Sequence, residues 1–259
     1  MNAPLPELPQ TPSFRLDGRR ALVTGAGRGI GLGAAAALAA AGARVTLLAR
    51  GAAEIEAAAG AIRAAGGAAE ALPLDLGDVA AVRDAVEGRP AFHVLVNNAG
   101  TNRPARFQDV APEDFDAVMD LNLRGCFFAA QAVARAMVRD GVRGSVINVS
   151  SQMGQVGGPE RSVYCASKWA MEGWTRAMAL DLAPYGIRAN TLCPTFIETP
   201  LTKPFFERPG FRDWVLSRIK LGRVGQVRDL MGAVVFLASD ASALMTGTAL
   251  TVDGGWTAD

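Results

Sequence analysis

The sequence predicts a single α/β domain built on a doubly wound parallel sheet of about seven strands, with helices on both faces. Three observations predict it. Short runs rich in leucine, valine and isoleucine alternate with Ala-rich stretches along almost the whole chain of 259 residues. Those runs are continuously apolar, as strands covered on both faces must be. A glycine-rich turn also joins the first run to the first helical stretch.

The elements follow in order. A strand at RALVTG (20–25) leads to a helix over 32–42, and ARVTLLA (43–49) leads to a helix over 52–65. AEALPLD (69–75) precedes a helix over 78–87, and HVLVNNAG (93–100) precedes a long helical stretch over 112–139. GSVINVSS (144–151) feeds a helix over 162–184 and IRANTLCP (187–194) is the sixth strand. A helix over 227–239 and a last strand, TALTVDGG (248–255), complete the series. Strand and helix in alternation imply right-handed parallel crossovers. Residues 195–220 break the rhythm with Pro200, Pro204, Pro209 and a cluster of phenylalanines, and are expected to form a substrate lid. Residues 1–14 hold four prolines and no apolar core behind basic residues; a flexible tail is expected there, not a signal peptide, with the catalytic domain spanning 15–259.

Composition narrows the function. The formal net charge is +1, too small a field to hold nucleic acid or an anionic membrane, so neither is expected as a partner. Cys126, Cys165 and Cys193 form no CxxC and suggest neither a disulfide framework nor a metal site, which fits a cytoplasmic protein. His93 is the only histidine and sits in an apolar strand; a Ser/His/Asp triad or a multi-histidine metal centre would have to be built on it alone. A small-molecule substrate remains, with no metal.

VTGAGRGIGLG (23–33) places Gly25, Gly29 and Gly31 between a strand and a helix. Residues without Cβ let the backbone turn sharply and approach a pyrophosphate at a helix N-terminus, the pattern of a Rossmann-like dinucleotide site. In NAD-binding chains of this kind an acidic residue ends the second strand. Here that strand ends in Ala49 and Arg50. A guanidinium grips a 2′-phosphate but accepts no hydrogen bond from a ribose, and Arg28 in the turn adds a second charge. NADP is therefore the expected cofactor, with NAD still open.

YCASK (164–168) puts Tyr164 and Lys168 one helical turn apart in a chain with two tyrosines and three lysines. A free phenol has a pKa of about 10 and is a poor base at neutral pH; a nearby ammonium favours the phenolate. Together with TGAGRGIG (24–31), NNAG (97–100), Asn122 in MDLNLRG, INVSS (147–151), CPTFIETP (193–200) and LTVDGGW (250–256), this set resembles the classical short-chain dehydrogenase/reductase family over almost the whole chain.

The resemblance implies hydride transfer between a nicotinamide and a carbonyl or alcohol carbon. It implies Tyr164 as general acid/base, Lys168 beside it and on the nicotinamide ribose, Ser151 as second donor to the carbonyl, and Asn122 holding a relay water. Ser150 is the structural one of the two serines. The cofactor contacts it implies are Gly25, Arg28, Gly29, Ile30, Gly31, Arg50, Asp75, Leu76, Asn97, Ala99, Gly100, Pro194, Ile197 and Thr199, besides Tyr164 and Lys168. Thr195 stands where the family has a glycine, so backbone strain is expected there if a positive φ is required. The resemblance also implies a homotetramer, built across the helices near 112–139 and 162–184 and across the last strand.

Polar residues near the expected nicotinamide, among them Asn102, Arg103, Gln152, Gln155 and Glu160, with Met153, suit a sugar, polyol or sugar acid. A 3-oxoacyl-[carrier protein] reductase is the alternative, with Arg103, Arg106 and Arg124 as its basic surface. A non-catalytic NADP-binding regulator is the alternative of another class, but it has no need of a proton relay.

Overall fold

Successive side chains of a strand face opposite sides of the sheet, and this chain supplies apolar groups to both. In β1 (Arg20–Thr24), Ala21 and Val23 enter one core while Leu22 enters the other. In β4 (Val94–Asn97), Val94 and Val96 join the first core and Leu95 the second. Helices must therefore cover both faces. The computed structural model describes residues 7–258 and shows that arrangement.

The remaining strands are β2 (Arg44–Ala49), β3 (Ala68–Pro73), β5 (Ser145–Val149), β6 (Arg188–Pro194) and β7 (Ala249–Val252). All pair in parallel in the order β3-β2-β1-β4-β5-β6-β7. Helices α1 (Gly29–Ala40) and α2 (Ala52–Ala64) pack on one face; α3 (Val79–Glu87) packs on the other. Beyond β4 come α4 (Pro112–Met119), α5 (Cys126–Arg139) and α6 (Ser162–Leu182), whose Val133, Met137 and Met171 fill the second core. After β6 come α7 (Lys203–Phe206), α8 (Phe211–Arg218) and α9 (Val227–Ala238), the last lying against α1. The order reverses between β1 and β4, opening a crevice at their carboxyl ends where such sheets bind ligands.

Two expectations change in detail. The helix predicted over 112–139 is interrupted by a π-helical turn at Asp120–Gly125, which carries Asn122. Gly125 permits the close approach there, since a Cβ would lie 2.9 Å from the Leu76 carbonyl oxygen. The segment 195–220, expected to be a lid, is also ordered, with α7 and α8 held by an aromatic cluster. Phe196 meets Phe211 at 5.5 Å and Trp256 at 5.6 Å between ring centroids, and Trp214 meets Trp256 at 5.4 Å.

Of the tail expected over 1–14, residues 1–6 lie outside the described residues. Residues 7–13 are exposed and without regular structure, Phe14 rests 6.2 Å from the Phe236 ring, and Leu16 is wholly buried. No helix of the described residues is long and apolar enough to cross a membrane.

Candidate active site

The glycine turn forms the floor of a cleft of about 480 Å³ at the carboxyl ends of β1, β4 and β5. Gly25 and Gly29 hold φ of +64° and +57°, a region that other L-residues resist. Gly25, Arg28, Gly29 and Ile30 all line the cleft. Gly31 does not: it lies behind the turn, where a Cβ would strike the Gly25 carbonyl and the Asn98 amide. Its role is thus to let the turn fold onto α1, not to touch a ligand. Asn98 Nδ2 locks the turn by donating to the carbonyls of Thr24 at 3.0 Å and Gly25 at 3.2 Å.

One end of the cleft carries paired charges. Arg28 Nη1 lies 3.2 Å from Glu54 Oε1, and Arg50 Nη1 lies 3.9 Å from Asp75 Oδ2. Asp75 does not cap α3, a task performed by Asp78 accepting from the Ala81 amide; its Oδ1 instead accepts from the Gly77 amide at 2.9 Å. Leu76, Ala99 and Gly100 line the adjoining wall. Asn97 departs from expectation. It is wholly buried beneath the crevice, where Nδ2 donates to the Cys126 carbonyl at 2.7 Å and to Asn148 Oδ1 at 3.2 Å. Alternation along β4 turns this side chain into the core, and the following Asn98 and Ala99 face the cleft.

At the other end α6 presents Tyr164 and Lys168 on one face, and both line the cleft with Ser151. Lys168 is 4% exposed; its Nζ donates to the Val149 carbonyl at 2.7 Å and lies 5.7 Å from the Tyr164 ring centroid. Ser151 Oγ donates to Gln152 Oε1 at 2.7 Å and accepts from the Met153 amide at 3.1 Å. Asn122 is wholly buried under this wall rather than in it. Its Oδ1 accepts from the Thr101 amide at 2.7 Å, and Nδ2 donates to the Thr101 carbonyl at 2.9 Å and to Ser167 Oγ at 3.2 Å. Both side-chain N–H donors are therefore used.

Pro194, Ile197 and Thr199 close the cleft from the β6 side. Thr199 approaches the glycine turn, its Cβ 3.4 Å from where a Gly29 Cβ would stand, and its amide donates to Thr202 Oγ1 at 3.0 Å. Thr195 is not strained: Glu160 is the one non-glycine residue with positive φ among the described residues. Thr195 lines the cleft; its amide donates to the Val252 carbonyl at 3.2 Å, while its buried Oγ1 has no partner among the described residues. Asn102 Oδ1 is buried in the same wall and also has none.

A positive-φ glycine cradle, two arginines beside the second strand and unpartnered polar atoms opposite fit a nicotinamide dinucleotide. The sequence comparisons agree with the geometry. A family model described as Enoyl-(Acyl carrier protein) reductase matches residues 25–257. D-erythrulose reductase of Gallus gallus is 41% identical over 95% of this chain and 98% of its own. Gluconate 5-dehydrogenase of Gluconobacter oxydans is 40% identical over 94% and 96%. The chain belongs to the short-chain dehydrogenase/reductase family.

A crystal structure of another short-chain dehydrogenase/reductase, gluconate 5-dehydrogenase from Burkholderia cenocepacia in complex with NADP and tartrate, superposes with a TM-score of 0.91. It is 44% identical, over 95% of this chain and 98% of that one. This chain is, like its relatives, an oxidoreductase.

Several residues expected near the short-chain dehydrogenase/reductase substrate lie elsewhere. Gln155 turns to β7, its Nε2 donating to Thr251 Oγ1 at 3.0 Å, and Glu160 pairs with Arg208 at 3.8 Å. Arg103 faces Asp114 at 3.8 Å and Arg124 stacks 5.8 Å from Phe128, so the basic surface with Arg106 is partly neutralised and dispersed. Ser150 ties β5 to β6 through its amide, which donates to Leu192 at 2.8 Å. His93 accepts from the Arg20 amide at 3.1 Å; burial and the nearby arginines hold its pKa below the usual imidazole value, and it takes no part in the cleft. Burial pushes the Cys126 thiol up to about 11 and the Cys193 thiol to about 12, so neither serves as a nucleophile.

Among the cleft residues that sequence reasoning missed are Glu54 and Arg161. The signal for Arg161 was its place one helical turn before Tyr164. Nothing local marked Glu54, which reaches Arg28 from a different helix.

Proposed function

We propose that this chain is an NADP-dependent enzyme that interconverts a secondary alcohol and a ketone on a sugar, polyol or sugar acid. One observation carries the reading: Tyr164, Lys168 and Ser151 line the same cleft as the positive-φ glycine turn, with unpartnered Asn102 Oδ1 and Thr195 Oγ1 in the wall beside them. Buried polar atoms of this kind suit a substrate with several hydroxyl groups and penalise an apolar one. The names of the relatives point the same way, toward small sugars and aldonates.

Arg28 and Arg50 would hold the 2′-phosphate, Gly25, Gly29 and Ile30 the pyrophosphate, and Pro194, Ile197 and Thr199 the nicotinamide side. Bound there, NADP supplies or accepts the hydride. The chain's own residues manage the proton. Tyr164 donates it to the carbonyl oxygen in reduction and takes it from the alcohol in oxidation. Lys168, buried and positively charged, favours negative charge on the phenolic oxygen while that proton is in flight. Ser151 turns its hydroxyl from Gln152 to the substrate oxygen and holds the developing charge. Asn122 positions Thr101 and the foot of α6 through Ser167.

Two further features belong to this reading. Exposed apolar groups stand on the two long helical stretches, with Phe115 and Phe127 on one and Trp169 and Leu180 on the other. A homotetramer that buries them across the α4–α5 and α6 faces accounts for their exposure, and light scattering reads its mass directly. Three free cysteines, Cys126 and Cys193 buried and Cys165 partly so, suit a reducing cytoplasmic setting.

The test is a spectrophotometric assay of purified protein with NADPH and NADH against ketoses, keto-aldonates and 3-oxoacyl thioesters. Turnover of the sugar compounds with NADPH is the expected result. Activity confined to the thioesters replaces the substrate reading, and none with any carbonyl refutes the enzymatic one.

A further inference from the structure

We propose that Arg161 is the carboxylate-recognising residue of the substrate pocket, so that the preferred substrates are sugar acids: aldonates in oxidation, keto-aldonates in reduction. This rests on the oxidoreductase reading above and narrows its substrate class.

Arg161 is misplaced by every local rule. An arginine stays charged throughout the pH range of proteins, yet this one is 4% exposed. It stands at the N-cap of α6, where the helix dipole favours negative charge, and its side chain caps nothing. Of five N–H donors, only one nitrogen, Nη1, has an acceptor among the described residues, the carbonyl of Glu160 at 3.3 Å. The guanidinium carbon lies 5.1 Å from the Phe205 ring centroid, and Phe205 lines the cleft.

The surrounding charges do not balance it. Glu160 is the nearest acid in sequence, but its carboxylate faces Arg208 at 3.8 Å. Arg208 itself lies 5.4 Å from the same Phe205 ring. Two guanidinium groups thus share one carboxylate at this end, and one positive charge is left over. A buried cation with only a share of one carboxylate is costly, and a ligand carboxylate is the group whose planar geometry matches a guanidinium.

The position suits the chemistry. Arg161 precedes Tyr164 by three residues, about one helical turn, and both line the cleft. A chain whose carbonyl meets Tyr164 therefore extends toward Arg161 with its far end. Its hydroxyls pass the wall that holds Asn102 and Thr195, whose buried Oδ1 and Oγ1 have no partner among the described residues. The phosphate-bearing cofactor has its own arginines, Arg28 and Arg50, beside the glycine turn. A neutral polyol would leave Arg161 unpaired.

Wild-type protein, Arg161→Gln and Arg161→Lys are assayed with NADPH against 5-ketogluconate and L-sorbose. These differ only in a chain-end carboxylate in place of a hydroxymethyl. Wild type should favour the acid by at least about tenfold in kcat/KM, Arg161→Gln should erase the preference mainly through KM, and Arg161→Lys should restore part of it. Equal or better use of sorbose by wild type, or a preference that survives Arg161→Gln, overturns the proposal and leaves the oxidoreductase reading intact. If neither ketone turns over, that reading loses support, and gluconate titrated into NADPH-loaded protein, followed by nucleotide fluorescence, decides this one alone. Binding lost in Arg161→Gln upholds it; binding absent from wild type, or retained in the variant, overturns it.

Discussion

The Lys168 ammonium donates to the Val149 main-chain carbonyl at 2.7 Å, tying α6 to the end of β5 at the point where the strand hands over to Ser151. One lysine thus fixes the spacing between the two elements that present Tyr164 and Ser151, the groups proposed to handle the proton and the carbonyl oxygen. That bond holds the buried Nζ 5.7 Å from the Tyr164 ring centroid.

Tyr164→Phe removes the proton and keeps the ring. We expect kcat to fall by at least about 100-fold with NADPH binding unchanged, measured by turnover and by nucleotide fluorescence. Lys168→Met should raise KM as well as lower kcat. Wild-type turnover in Tyr164→Phe would end the proton-transfer assignment.

Glu54 lies 3.2 Å from Arg28, so in the proposed site it would compete with a 2′-phosphate for that guanidinium. Glu54→Gln should raise kcat/KM for NADP by up to about fivefold, the scale of an exposed ion pair. Arg50→Ala should shift the preference toward NAD. Steady-state kinetics with both nucleotides read the two effects, and an NAD preference in the wild type contradicts them.

Asn122 satisfies the amide and the carbonyl of Thr101 within a wholly buried site. Asn122→Ala leaves those backbone groups unpaired and should cost about 1–3 kcal/mol of stability. Turnover should drop beyond what the lower stability explains. Thermal melts and kcat on the folded fraction separate the two, and unchanged kcat argues against a positioning role.

Asp229 closes a capping box on α9, accepting from the Gln226 amide at 2.7 Å and from Arg223 at 2.6 Å. Arg223, then that amide, hold its carboxyl at about 2, below the ordinary aspartate value. The depressed value means stability present above about pH 4 and lost as pH falls from there toward 2. Asp229→Asn should lower Tm by about 2–4 °C at neutral pH and by less near pH 2. A loss of equal size at both pH values contradicts the ionic contribution.

Much was legible in the sequence because it is local. Runs of apolar residues fix which segments become strands, a glycine turn between strand and helix fixes where the crevice opens, and the spacing of Tyr164 and Lys168 puts them on one helical face. The tertiary structure alone decided which way particular side chains turn. Alternation in β4 buries Asn97 and leaves Asn98 and Ala99 at the cleft, and packing against Leu76 goes with a π turn at Asn122 in a stretch whose periodicity reads as plain helix. Only the fold sets Glu54 against Arg28, and only the fold brings a buried Arg161 over the Phe205 ring while the Glu160 carboxylate is shared with Arg208. Such contacts join residues far apart in the chain, and periodicity and propensity carry no information about which of them will meet.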